Sequence, residues 1–185
     1  MEQETKYSPM QLLKRRIYAM RNGIIADTLR KSGCPHRFIF GVNLPQLTEI
    51  AAETEHSVEF AEKLWNDSDS RESMMIAPML YPVESLTLDA ARRLASGVTW
   101  SEDADILCFK LLRHAPFAAE LAAELCASDD RLARYTGLRL YFCTISTNAA
   151  QALEAARAEL ERPDTLSGLA SMLAEEARFI LGEED

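Results

Sequence analysis

The sequence predicts an all-α fold, an α-solenoid of stacked antiparallel helix pairs. Three observations predict it. Apolar residues recur at helical spacing: Ala104, Leu107, Cys108, Leu111 and Leu112 fall at i, i+3, i+4, i+7 and i+8 and make one buried stripe. Only 7 Gly and 7 Pro leave too little punctuation for an all-β chain. A tetrapeptide of the form S-D-x-R occurs twice, as Ser68-Asp69-Ser70-Arg71 and Ser128-Asp129-Asp130-Arg131. Each copy follows a helix ending in an apolar pair, Leu64-Trp65 or Leu125-Cys126, and each opens another helix. The copies lie about 60 residues apart, two helix pairs of roughly 30 residues, shorter than the usual HEAT repeat. Short turns force antiparallel neighbours, and stacked pairs make a solenoid.

The elements follow in order. Ser8-Pro9 starts a helix with Leu12, Leu13, Ile17 and Met20 as its apolar face. Ile24, Ile25, Thr28 and Leu29 carry a second helix, which Gly33-Cys34-Pro35 stops. His36 to Val42 reads as a loop with apolar anchors, and Asn43 caps a helix bearing Leu47, Ile50 and Ala51. A helix with Phe60, Ala61, Leu64 and Trp65 precedes one from Ser70 with Met74, Met75 and Ala77, whose last turn Pro78 should bend or loosen. Thr87 to Gly97 frames the next, Ser101 starts another, and Pro116 opens a helix with Phe117, Leu121 and Leu125. Helices near 130–145, 148–161 and 164–181 complete a single domain over 1–185.

The first residues show no apolar leader, and no stretch approaches the roughly 18 apolar residues of a membrane span, so a cytoplasmic protein with no membrane partner is expected. Cys34, Cys108, Cys126 and Cys143 lack CxxC spacing and are expected reduced and mostly buried. His36, His56 and His114 sit at no ligand spacing, so neither metal nor other cofactor is expected. The net charge is −9. Residues 1–37 run against it: Lys6, Lys14, Arg15, Arg16, Arg21, Arg30, Lys31 and Arg37 face only Glu2, Glu4 and Asp27. A basic amino end on an acidic body suggests an oriented surface. No Gly-rich phosphate loop or Ser-His-Asp pattern supports ordinary hydrolase or transferase chemistry.

Two spots carry candidate chemistry. Aligning the two S-D-x-R copies sets Arg134 against Met74 and Tyr135 against Met75. A charge at an apolar position must find a carboxylate, a ligand or solvent. The other spot is Thr99-Trp100-Ser101-Glu102-Asp103-Ala104-Asp105. Glu102 and Asp103 suit the positive end of a helix. Asp105 borders the apolar stripe, where it and Trp100 could receive a cationic group.

At these residues the chain resembles the AlkD-like alkylpurine DNA glycosylases, a HEAT-like repeat family. The stretch His36-Arg37-Phe38-Ile39-Phe40-Gly41-Val42-Asn43-Leu44-Pro45 is similar to that family's Phe-rich loop and helix start. Glu62-Lys63-Leu64-Trp65, Trp100 with Asp105-Ile106-Leu107-Cys108, and Ser128-Asp129-Asp130 with Arg134 follow in family order over roughly 20–145. The resemblance implies a concave stack of HEAT-like helix pairs, with 146–185 as acidic C-terminal helices of a divergent, C-terminally shortened member. It implies hydrolysis of the N-glycosidic bond of cationic alkylated purines in DNA. Asp105 would orient water and oppose the sugar's developing charge, Trp100 would pack on the deoxyribose, and Arg134, with Tyr135 beside it, would hold the substrate's phosphate. The family spaces its Trp and Asp four apart; here Asp105 is five from Trp100 and four lands on Ala104, so Asp103 is a rival. The family has a second active-site Trp in later helices; this chain has only Trp65 and Trp100, so that wall of the cleft is missing. The expected role is a DNA alkylation-repair protein, a glycosylase or a lesion sensor, binding double-stranded DNA through the basic first helices and the concave face. The alternative is a non-catalytic scaffold that holds a protein partner there.

Overall fold

A computed structural model describes residues 7–183, which form two compact units that divide between Pro82 and Val83. The first unit holds α1 (Pro9–Ala19), α2 (Gly23–Lys31), α3 (Leu44–Ala52), α4 (Val58–Trp65) and α5 (Arg71–Leu80). Caps set the starts. The side chains of Ser8, Asn22, Asn43, Ser57 and Ser70 accept backbone N–H groups from the first turns of α1 to α5, and Ser8 and Asn43 complete capping boxes with Gln11 and Gln46.

Helix α5 is the core of this unit. Met74, Met75, Ile76, Ala77 and Leu80 are all buried, packed against α4 and α3. The helix runs through Pro78 and stops at Leu80, with Tyr81 already extended. The expected apolar faces hold in part. Leu13 and Ile17 of α1 are buried, whereas Leu12 is 40% exposed; in α2 small Ala26 is buried and Ile24 is 80% exposed.

The loop after α2 is fastened to the start of α5. Phe38 N–H donates to Asp69 O at 2.8 Å, and Arg71 N–H donates to Phe38 O at 3.1 Å. The fully buried Glu72 carboxylate accepts the N–H groups of Phe40, Gly41 and Val42 at 3.1, 2.9 and 3.3 Å. Arg71 Nη1 donates to Glu72 at 2.9 Å and to Val42 O at 3.1 Å. Glycine is required at Gly41: its φ is +75°, and an added Cβ would sit 2.1 Å from Asn22 O.

The second unit holds α6 (Leu88–Ser96), α7 (Ser101–Lys110), α8 (Ala118–Cys126), α9 (Arg131–Cys143), α10 (Ile145–Leu160) and α11 (Ser167–Leu181). Helix α9 packs on α7, α8 and α10, and α10 packs on α11. Gly137 lets α8 and α9 approach closely, since a Cβ there would lie 2.8 Å from Cys126 N and 2.9 Å from Ala122 O. Asn148, at φ −130° and ψ 28°, kinks α10 near where the sequence places its start. Of the four cysteines only Cys108 is buried and the other three are intermediate, fewer buried than the sequence suggests; none forms a disulfide. Among the described residues no helix is long and apolar enough to cross a membrane.

Candidate functional site

The two carboxylates that compete in the sequence have different surroundings. Asp103 is fully buried at the start of α7, where its Oδ2 accepts Thr99 N–H at 3.2 Å and Thr99 Oγ1–H at 2.9 Å. It ties the chain entering the helix to the first turn, and its job is structural. Asp105 is half-buried. Its Oδ1 accepts Tyr135 OH at 3.0 Å and Arg139 Nε–H at 2.6 Å, both from α9. Its other oxygen meets no donor among the described residues and is available to water or a ligand.

Helix geometry makes this face. Asp105 and Phe109 are four apart on α7; Tyr135, Arg139 and Phe142 are spaced i, i+4, i+7 on α9. Each helix thus turns one side chain after another to the same side. Phe109 is 44% exposed, with the Arg113 guanidinium 4.4 Å and the Lys110 ammonium 5.4 Å from its ring centre. Arg139 also lies over Phe142 at 5.8 Å. Burial, then the Asp105 charge, pushes the Tyr135 phenol up to about 12, so it remains a hydrogen-bond donor at neutral pH. Burial acts against the charge on Arg139, but Asp105 and Tyr135 outweigh it and the guanidinium titrates above its ordinary value. Burial also raises the Cys143 thiol, against the pull of Arg139 and Arg113, and buried Cys108 is raised further; neither is an activated nucleophile.

Arg134 stands apart from this face. It is 1% exposed, and every nitrogen of its guanidinium is engaged: Nε donates to Glu159 at 2.9 Å, Nη2 to Asp164 at 2.7 Å and Nη1 to Asp129 O at 2.8 Å. Glu159 Oε1 also accepts Leu166 N–H at 2.8 Å. The network fixes the ends of α9 and α10 and the turn into α11. The Asp164 hydrogen bond leads the causes that raise Arg134, and the same bond lowers Asp164. A phosphate could reach Arg134 only by displacing one of these carboxylates.

The structure therefore brings Asp105 and Tyr135 together and leaves Arg134 elsewhere. Trp100, half-buried, supplies the backbone of the α7 N-cap, with no side-chain capping bond. The aromatic group that touches Asp105 is Tyr135. Arg139 was missed, yet the repeat carries its signal: one turn beyond the Met75–Tyr135 correspondence, Met79 stands opposite Arg139.

No curated protein matches this chain. A solved structure described as "A new family of proteins related to the HEAT-like repeat DNA glycosylases with affinity for branched DNA structures" superposes with a TM-score of 0.75 at 17% identity, covering 96% of this chain and 83% of that one. At that identity the likeness establishes the fold, an α-solenoid of antiparallel HEAT-like helix pairs. The model of the DNA alkylation repair enzyme family matches residues 13–180, nearly the whole length, and the chain belongs to that family.

Proposed function

We propose that this protein binds DNA through the α7–α9 face and acts in alkylation repair. The observation that carries the reading is the cluster Asp105–Tyr135–Arg139. It is polar, half-exposed and flanked by Lys110, Arg113 and two aromatic rings, and its Tyr135 and Arg139 stand where α5 carries methionine. Arg139 and Arg113 suit phosphate oxygens, and the rings exclude water around them. The chain's acidity disfavours DNA elsewhere and so orients it toward such basic surfaces. The test is fluorescence anisotropy of labelled duplex DNA across a salt series. Salt-sensitive binding that weakens in Arg113→Ala and loses about one unit of logarithmic salt slope supports the reading. Absence of binding at low salt, with retention of a protein partner, gives the face to the scaffold role.

A second reading, base excision, is favoured by the half-exposed Asp105 carboxylate, which both α9 donors meet on the same oxygen. A cationic alkylated purine leaves as a neutral base when its N-glycosidic bond breaks, so no acid is required. Water adds at the sugar carbon, and Asp105 orients it and takes its proton. Arg139 partly neutralises the carboxylate, which favours positioning water over stabilising sugar charge. Single-turnover release of an alkylated purine that falls in Asp105→Asn supports excision. Binding without release leaves a lesion or structure sensor.

A further inference from the structure

The first unit carries a second surface that the α7–α9 face does not use. It runs from Tyr7, just before the Ser8 cap, along α1 through Gln11, Lys14, Arg15 and Tyr18, to Arg21 beyond the C-terminal cap. They lie opposite the buried Leu13 and Ile17. All of these but Arg21 line, with Phe40, an open hollow of about 600 Å³ whose walls are almost wholly apolar. Large apolar groups are exposed there, Tyr18 by 55% and Tyr7 by 37%.

The charges around the hollow are organised on rings. The Arg21 guanidinium lies 4.0 Å from the Tyr18 ring centre and is held by a 2.9 Å hydrogen bond from Nη1 to Tyr18 O. The Arg15 guanidinium lies 4.4 Å from the Tyr7 ring centre. Phe40 meets Tyr18 edge-on at 6.3 Å. Lys14 and Arg16 are paired with Asp67 and Glu53, whereas Arg15 and Arg21 meet no carboxylate among the described residues. Two flat cationic groups are therefore layered on aromatic rings, with no carboxylate beside them among the described residues.

We propose that this surface holds an unpaired nucleobase of single-stranded or branched DNA, with the base stacked on the Tyr18–Arg21 layer and a flanking phosphate facing Arg15. A base offers a flat π surface to ring and guanidinium, and the phosphates that flank it offer anions to the guanidinium groups. Paired bases within a duplex present no free face to stack, so the surface selects unpaired strands. An acidic peptide would satisfy the arginines but leave the apolar hollow unfilled. The proposal rests on the DNA-binding reading above and names the part of the DNA that this unit takes.

The test uses the full chain with two probes of one sequence, a blunt duplex and a fork whose unpaired arms carry 2-aminopurine. Wild type is expected to prefer the fork and to quench its fluorescence. Tyr18→Ala should lower fork affinity by about tenfold, the value of one stacked base, and abolish the quench while leaving the blunt duplex unaffected. Tyr18→Phe, which keeps the ring, should retain both. Exposure of Tyr18 makes misfolding an unsuitable explanation, and circular dichroism checks it. Unchanged fork preference and quench in Tyr18→Ala, with blunt-duplex binding intact, overturns this inference alone. Failure of wild type to bind either probe at low salt overturns it together with the DNA-binding reading.

Discussion

Helices α5 and α9 begin from the same tetrapeptide and end in different work. Ser70 and Asp130 cap them, each accepting an N–H three residues on, at 3.4 and 2.7 Å. From there they diverge. Helix α5 is buried nearly throughout, and its ion pair, Arg71 with Glu72, sits at the first turn and pins a loop. Helix α9 buries Thr136, Gly137, Leu138 and Leu140 on one side, engages Arg134 with Glu159 and Asp164, and turns Tyr135 and Arg139 toward Asp105. Where α5 has Met75 and Met79, α9 has Tyr135 and Arg139. One repeat serves the core, and its counterpart builds the half-exposed polar face proposed to bind DNA.

The largest effect expected from breaking this contrast is at Glu72. Glu72→Ala removes the acceptor of three backbone N–H groups and the carboxylate that balances the buried Arg71 charge, so urea unfolding should show a loss of about 3–5 kcal/mol. Arg134→Met comes next. It leaves Glu159 buried without its main partner, while Asp164 escapes to solvent, and should cost about 3 kcal/mol with the α7–α9 face unaltered. A smaller loss, about 1–3 kcal/mol, is expected for Gly137→Ala. Its methyl must push α9 from the backbone of α8, whereas the counterpart residue in α5 is already Ala77.

Asp164 should give the smallest effect, visible only in acid. Arg134 holds its carboxyl below the ordinary value of 3.8, so the stability it contributes is present above that value and is lost as pH falls through the depressed one. Asp164→Asn should therefore lower stability modestly at neutral pH and flatten its decline below about pH 4. An unchanged acid profile, measured by thermal unfolding across pH, would show that the pair is not felt.

Local signals were the legible part. Ser8, Asn43 and Thr87 each satisfy an N–H three residues on, and a short-range pattern records that need directly. The comparison of repeats also marked position 134 as out of place in an apolar series. It could not reveal that Glu159 and Asp164, 25 and 30 residues downstream, would close around it, because such pairing is set by how later helices pack. The same limit explains Leu12 and Ile24: both lie on apolar stripes, and only the position of neighbouring helices decides which shoulder of a stripe is covered. Asp103 and Asp105 were separated by Thr99, whose hydroxyl and N–H claim the first and leave the second to α9.

The central claim is that the face where α9 departs from α5 is the DNA site. The most direct measurement is duplex DNA affinity, across salt, of the chain carrying Tyr135→Met and Arg139→Met, which restores the α5 residues. Unfolding stability should stay within about 1 kcal/mol, since both positions accept apolar side chains in the repeat. The account predicts duplex affinity reduced about tenfold or more, with a shallower salt dependence. A stable, folded double variant that binds duplex DNA as wild type does would contradict it.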